Sequence, residues 1–542
     1  MLRKSLATLP PTLDETYDRI LCAINKNVCE YAVRILRWLA FSTRPLQVEE
    51  IAEVVAIDPE RDPAFEPQEV LEDPLEVLKI CSTLVTIVTT EGFDRITWKP
   101  RSFKVVLLAH YSVKEYLISE RCRQARYSMQ NATCNELIAK SCLQYILQFQ
   151  SSVFFTNETI GEFKLARYSA EFWTTHVQGA HKAEILNQLI MALFSTGNGA
   201  YLNWIRIFDP GEPRQSPDIT KQLKNVPTPL YYASLLGLAE IVSLLILKAG
   251  ADVNAQGGSH GNALQVASYE GHEKVVALLL DKGANVNAQG GFYGNALEAA
   301  LVGGHGKIVA LLLDKGADVN AQGGYYRNAL QAASAGGHEK IVALLLDKGA
   351  SVNAQGGLYG NALQEASARG HEKIVALLLD KGADVNAQGG DYGSALQAAS
   401  VGGHEKIVAL LLDKGADVNA QDEYYGNALE AASARGHEKI VALLLEKGAD
   451  VNALEAASAG GHGKIVALLL DKDADVNEQG GYYGNALQAA SAEGYEKIVA
   501  LLLDKGAEVN AKSGSYDNAL QAASVGGHEK VIALLLDKDV AR

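Results

Sequence analysis

Hydrophobic positions in the second half of the chain fall in short blocks at regular intervals. One block runs Ile341-Val342-Ala343-Leu344-Leu345-Leu346, and near copies stand at Ile308–Leu313, Ile374–Leu379 and Ile407–Leu412. The Gly-His step before these blocks recurs at His272, His305, His338, His371, His404 and His437, always 33 residues apart. A fixed period of this length marks a stacked array of like units. Within one unit, Asn328 is placed to cap a short Ala-rich helix that starts at Ala329. Gly336-Gly337 then ends that helix in a turn able to use positive φ. A second helix is predicted from about His338, and its run Ile341–Leu346 is apolar nearly all round. Such a helix needs neighbours on several sides, which stacked copies supply. Gly349 sits where a left-handed C-terminal residue belongs, with Lys348 in the last turn. Gln355-Gly356-Gly357 predicts a tight finger before the next unit begins.

Helix, turn, helix and finger at this period form the ankyrin pattern. Residues 226–542 resemble ankyrin repeats: Thr228-Pro229-Leu230 with Ala233 matches the family's opening signature, and Gly316-Ala317-Asp318-Val319-Asn320 its closing one. Later units replace Thr-Pro-Leu-His by Asn-Ala-Leu-Gln or Asn-Ala-Leu-Glu, which keeps a capping residue and a good helix former. About ten repeats are expected, one of them shortened near 452–453. There the step from His437 to His462 is 25 residues, and Val451-Asn452 runs directly into Ala453-Leu454, so a finger is expected to be missing. The chain also stops at Arg542, soon after Leu536, without a polar capping repeat.

The alternation in residues 1–120 differs. Thr12-Leu13-Asp14-Glu15 reads as a capping box before an amphipathic helix through Tyr17, Ile20, Leu21 and Ile24. Helices are predicted over about 28–41 and 48–55, then strands over 84–88 and 104–108. A last helix is expected behind Ser112-Val113-Lys114-Glu115. Three helices and a two-stranded wing suggest a winged-helix-like domain. Residues 121–206 read as a helical bridging segment, a small bundle with helices near 135–149, 163–177 and 183–194. Pro210, Pro213 and Pro217 then mark 207–225 as a linker. The expected fold class is mostly α: an ankyrin-repeat α-solenoid with short β-fingers, preceded by a winged-helix-like domain and a small helical bundle.

A second resemblance covers roughly residues 5–235. Leu9–Leu21, Leu36–Phe41, Arg44-Pro45-Leu46, His110–Leu117, Tyr168–His176 and Pro229–Ser234 are similar to the region that follows the NACHT module in fungal NOD-like (STAND) proteins. The resemblance implies the sensor arm of such a receptor. It also implies that the His of the His-x-Ser-x-x-Glu-Tyr-Leu segment, here His110, approaches nucleotide phosphates when the module is present. No Gly-x-x-x-x-Gly-Lys-Ser/Thr loop occurs, and Gly306-Lys307 and Gly463-Lys464 are each followed by Ile inside a repeat. No nucleotide hydrolysis, no cofactor and no enzymatic activity are therefore expected of this chain.

Composition narrows the partner. The formal net charge is −15, and after residue 225 the chain holds 24 Lys and Arg against 37 Asp and Glu, or −13. That field opposes nucleic acid and anionic membranes and favours a protein partner with a neutral or basic surface. The third predicted helix carries Glu49, Glu50 and Glu53 and no basic residue, again unlike a DNA reader. No run of 18 apolar residues and no secretory h-region are seen, so a cytoplasmic protein is expected. The six cysteines, Cys22 to Cys142, have no metal or redox spacing and read as reduced thiols. Two glycosylation patterns, at Asn131 and Asn157, are chance matches in that setting.

Because the units are nearly identical, the columns that vary between them are the candidate recognition residues. At the finger tip these are Ser259, Phe292, Tyr325, Leu358, Asp391, Tyr424, Tyr482 and Ser515. At the end of the first helix they are Glu270, Arg369, Arg435 and Glu493, among glycines. The ankyrin resemblance implies that both columns approach the concave, partner-facing side. A uniform column beside the tips (His260, Tyr293, Tyr326, Tyr359, Tyr392, Tyr425, Tyr483 and Tyr516) is expected to stack finger on finger. The histidine column is not expected to bind metal: helix axes about 8–10 Å apart cannot bring nitrogens to about 2.1 Å from one ion. Two roles fit: a protein-recognition arm of a NOD-like receptor, or a free-standing scaffold with no nucleotide switch.

Overall fold

The computed structural model describes residues 12–93, 100–150, 159–181, 183–197, 199–357, 359–422 and 425–540. They form two compact units, residues 1–263 with 277–284, and residues 264–276 with 285–542.

The first unit opens with α1 (Leu13–Ala23), whose first turn is capped by the Thr12 side chain accepting from the Glu15 amide. Helices α2 (Cys29–Phe41) and α3 (Val48–Val55) follow, then α4 (Val77–Cys81). Strands β2 (Val85–Phe93) and β3 (Pro100–Leu108) pair antiparallel as the wing, from Val85 opposite Leu108 to Phe93 opposite Pro100. A two-residue strand β1 (Leu46–Gln47), which is too short to leave an alternation in the sequence, pairs with the other side of β3. Helix α5 (Tyr111–Ile118) starts one residue before the expected Ser112 cap: the cap is His110, whose Nδ1 accepts from the Ser112 amide at 3.2 Å.

Two acids expected on the surface of α3 are turned inward. Glu50 is 3% exposed and holds the Arg44 guanidinium through two bonds of 2.8 and 2.5 Å. Glu53 is 5% exposed and accepts from the Tyr145 hydroxyl at 2.5 Å and from the Lys164 and Leu165 amides at 2.8 and 2.9 Å. Only Glu49 of the three is solvent-exposed. The acidity of this helix is therefore mostly internal wiring rather than an outward field.

Helices α6 (Asn131–Leu147) and α7 (Ala166–Gly179) pack together, and α8 (Glu184–Leu193) is followed by α9 (Ala200–Ile207). The last was not anticipated as a separate helix; its start is set by Gly199 at φ 75°. Its Trp204 anchors an aromatic core with Trp173, Phe194 and Tyr232, ring centroids 5.5 to 5.7 Å away. The proline-bearing stretch 207–225 is tied to that core. Asp209 accepts from the Tyr232 hydroxyl at 2.8 Å and pairs with Lys221 at 2.5 Å, while the Asp218 amide donates to the Arg206 carbonyl at 2.9 Å.

The second unit is built from helix pairs. Ala329–Ala335 and Glu339–Asp347 form one pair, and Ala362–Ala368 with Glu372–Asp380 the next. Asn328 caps as expected, its side chain accepting from the Gln331 amide at 2.9 Å. Gly337 and Gly349 take the left-handed conformation at φ 73° and 89°, whereas Gly336 stays helical. Ile341, Val342 and Leu345 are buried, and Ala343, Leu344 and Leu346 are half-buried, which accounts for the all-round apolar block.

Neighbouring pairs are joined by side chains as well as by packing. His371 reaches back to the Ala335 carbonyl through Nε2 at 3.1 Å, and His305, His404, His437, His462 and His528 each make the matching bond one unit earlier. Asn320 donates to the Gly349 carbonyl at 3.0 Å and accepts from the Ser351 amide at 2.8 Å. On the outside, Lys348, Lys381, Lys414 and Lys447 each pair with the Asp one unit back at 3.0 to 3.2 Å. These pairs are solvent-exposed and contribute little individually.

The fingers are turns closed by a single backbone bond rather than paired strands: Gly356 N–H donates to Gly360 at 2.7 Å, and Gly389 to Gly393 at 2.8 Å. At the shortened repeat, helix Leu454–Ala459 follows Asn452-Ala453 directly and has no side-chain cap. The missing finger leaves an opening of about 350 Å³ lined by Glu430, Asp450, Glu455 and Glu478.

Candidate functional site: a partner-facing strip

The finger tips project because each finger is a short turn whose base is pinned by the unit before it. Gln364 is buried in the first helix, and its Nε2 donates to the Gly389 and Gly393 carbonyls of the next finger at 2.9 and 2.7 Å. Gln265, Gln331, Gln397 and Gln488 do the same for their own fingers. This column was not singled out from sequence, although the signal was present: a Gln or Glu recurring at one position inside an otherwise Ala-rich helix.

With the base fixed, the tips face solvent. Phe292, Tyr325 and Tyr482 are 60%, 51% and 71% exposed, and Ser259 and Asp391 are also exposed. Phe292 and Tyr325 stack across adjacent fingers with centroids 6.0 Å apart and planes 16° from parallel. Ser515 is also exposed, but its hydroxyl donates to the Tyr482 carbonyl of the preceding finger at 2.9 Å. Leu358 and Tyr424 lie outside the described residues.

The inner tyrosines stack as expected. Tyr359 and Tyr392 lie 5.1 Å apart at 12°, Tyr392 and Tyr425 5.6 Å apart at 20°, and Tyr483 and Tyr516 6.5 Å apart at 18°. The varied residues at the first-helix ends meet this stack. Arg369 lies over the Tyr359 ring at 5.8 Å, Glu493 accepts from the Tyr483 hydroxyl at 2.7 Å, and Tyr269, beside the exposed Glu270, stacks on Tyr293 at 4.8 Å. Arg435 is exposed. Within the second unit, the varied residues from Glu270 onward and the tyrosines beside them thus form one strip, whereas Ser259 belongs to the first unit.

Electrostatics within the strip follow burial. The carboxyl of Glu365, on the same helix as Arg369, is pushed up to about 7 by burial, although Arg369 at 3.3 Å pulls it the other way. Glu430 and Glu455 beside the missing finger are also raised, first by burial and, for Glu430, by Glu478 and Glu455 nearby. Among the described residues no cluster of His, Cys, Asp or Glu is arranged to hold a metal. His305, His371, His404, His437, His462 and His528 spend Nε2 on backbone carbonyls of the preceding unit, a structural role.

His110 stands apart from this strip, in the first unit. It is exposed, its Nδ1 lies 2.6 Å from the Ser112 hydroxyl, and its ring rests on Tyr111 at 4.3 Å. It is a helix cap on the surface, its Nδ1 accepting from the Ser112 amide at the first turn of α5.

Ankyrin repeats match over residues 182–290, 230–323, 296–389, 363–455 and 453–542, together well over half the sequence. The chain belongs to the ankyrin-repeat family. Residues 17–130 match the winged helix domain of GPI inositol-deacylase. A relative from Monascus ruber, described as azaphilone pigments biosynthesis cluster protein L, is 40% identical over 285 residues, covering 50% of this chain and 59% of the relative. The chain therefore spans less than two thirds of that relative. The crystal structure of the human ASB11 ankyrin repeat domain aligns at 25% identity over 39% of this chain and 98% of that one, with a TM-score of 0.35. Among the described residues no helix is long and apolar enough to cross a membrane.

Proposed function

We propose that this chain is a non-enzymatic recognition arm: it binds a protein through the finger tips and first-helix ends of its array. The observation that carries this reading is the exposure of Phe292, Tyr325 and Tyr482 on units that are otherwise nearly identical. Tyrosine and phenylalanine presented on a stiff support bury much area at low entropic cost, which suits a binding surface. Ankyrin repeats imply protein partners, and the excess of acidic residues in the array favours a partner with a neutral or basic surface and disfavours nucleic acid.

The order winged helix, helical segment, array supports a place in a fungal NOD-like (STAND) receptor acting in the cytoplasm, and the fungal source of the relative fits. In that setting His110, exposed at the start of α5, is the residue offered to a nucleotide-bearing module.

The test uses the full chain as bait against the triple variant Phe292→Ser, Tyr325→Ser, Tyr482→Ser, with quantitative mass spectrometry of the captured proteins. Partners enriched on the wild type are expected to fall at least about tenfold on the variant, as for loss of binding hot spots, with an unchanged circular dichroism melt. Equal capture by both chains would refute the role of the tips.

A further inference from the structure

Glutamate replaces the pinning glutamine at Glu298, Glu430 and Glu455, and of these three only Glu298 is fully buried. Glu430 lines the opening at the missing finger, and Glu455 holds its finger as an acceptor, taking the Tyr483 amide at 2.9 Å. In Ala329–Ala335 and Ala362–Ala368 the pin is Gln331 or Gln364, whose amide gives hydrogen to two finger carbonyls at 2.7 to 2.9 Å. In the helix Ala296–Val302 the same position is Glu298, 1% exposed. Its Oε1 accepts from Asn295 Nδ2 at 3.0 Å, and its amide donates to Asn295 Oδ1 at 2.9 Å. Its Oε2 lies against the next finger, so close that a Cβ added at Gly324 would sit 2.8 Å from it. The carbonyls of Gly323 and Arg327 stand in the register of Gly356 and Gly360. An ionised carboxylate has no hydrogen to give them, whereas the neutral acid has one.

The ionisable side chains on neighbouring pieces are Tyr269 and Glu270 at the end of the preceding first helix, and Tyr293 on the preceding finger. The facing finger carries Asp318, Tyr325, Tyr326 and Arg327. Ala296–Val302 and Ala329–Ala335 carry no other. Burial, opposed only by the bond from Asn295, raises the Glu298 carboxyl to about 8.

We infer that Glu298 is a protonated donor that pins the finger at 321–327, and that its ionisation releases this finger, with Tyr325 on it, while the glutamine-held fingers stay closed. A carboxyl held above its ordinary value supports the fold fully below that value, here 4.5. The support is lost as pH rises through the folded value, so the window runs from 4.5 to about 8. The Tyr325–Phe292 stack would then open on the alkaline side.

Amide hydrogen exchange of the full chain, read by mass spectrometry and corrected for intrinsic rates, tests this with built-in controls. Between about pH 6 and about pH 9, protection of 321–327 is expected to fall about tenfold relative to 354–360 and 387–393. Glu298→Gln is expected to abolish that fall, and Gln364→Glu to transfer it to 387–393. A constant protection ratio in the wild type would overturn the inference, and so would a pH dependence that survives Glu298→Gln.

Discussion

Replacing Glu53 with alanine is expected to destabilise the first unit by about 3–5 kcal/mol, the range for removing one partner of a buried charged network. The carboxylate sits in α3 and accepts from three donors on later segments, the Tyr145 hydroxyl and the Lys164 and Leu165 amides. Burial raises its affinity for a proton, these bonds lower it, and burial together with Glu53 pushes the Tyr145 hydroxyl well above its ordinary value. Truncation leaves all three donors without their acceptor in a dry site, which costs more than the net worth of the bonds themselves. All four tryptophans lie before residue 205, so tryptophan fluorescence during urea unfolding reports this unit alone. Glu49→Ala, one turn away and exposed, is the control and should stay within about 0.5 kcal/mol. A loss below about 1 kcal/mol for Glu53→Ala would mean that the network does not hold the segments together.

The second large effect separates two glycines that share a backbone conformation but not an environment. Gly382 and Gly390 both have positive φ, 88° and 66°. A methyl at Gly382 meets nothing within 4 Å, so Gly382→Ala should cost only the left-handed strain of about 1–2 kcal/mol. A methyl at Gly390 would overlap the backbone of Tyr359 and Gly360 on the preceding finger, which has no side chain to swing aside. Gly390→Ala is therefore expected to cost about 3 kcal/mol or more, the strain plus displacement of a packed finger. Thermal and urea melts of the array, followed by circular dichroism, check the difference. Equal losses for the two variants would show that the fingers do not rest on each other.

Much of this was legible because a repeat states its rules many times. The Asn328 cap, the left-handed Gly349 and the stacked tyrosines follow from local chemistry repeated at one period. What was hidden depended on partners far away in sequence. The buried Glu50 and Glu53 look the same as surface acids until Arg44 and Tyr145 are placed beside them. The glutamine pins act across 25 to 29 residues, onto backbone carbonyls that no sequence pattern displays. Strand β1 is two residues long and exists only because β3 offers it an edge. The candidate tips were found by their variation, and three of them, Phe292, Tyr325 and Tyr482, are strongly exposed. Ser515 is the counterexample: a varied tip position whose hydroxyl is spent on its neighbour.

The most direct measurement places a photo-crosslinking phenylalanine analogue at Phe292, Tyr325 or Tyr482 in the full chain, and at the exposed Lys340 of an outer helix as the comparison. Irradiation in the presence of the partners captured by the wild type should yield cross-linked protein from the three finger positions and little from Lys340. Cross-links from Lys340 with none from the fingers would place the contact away from the finger tips and contradict the account.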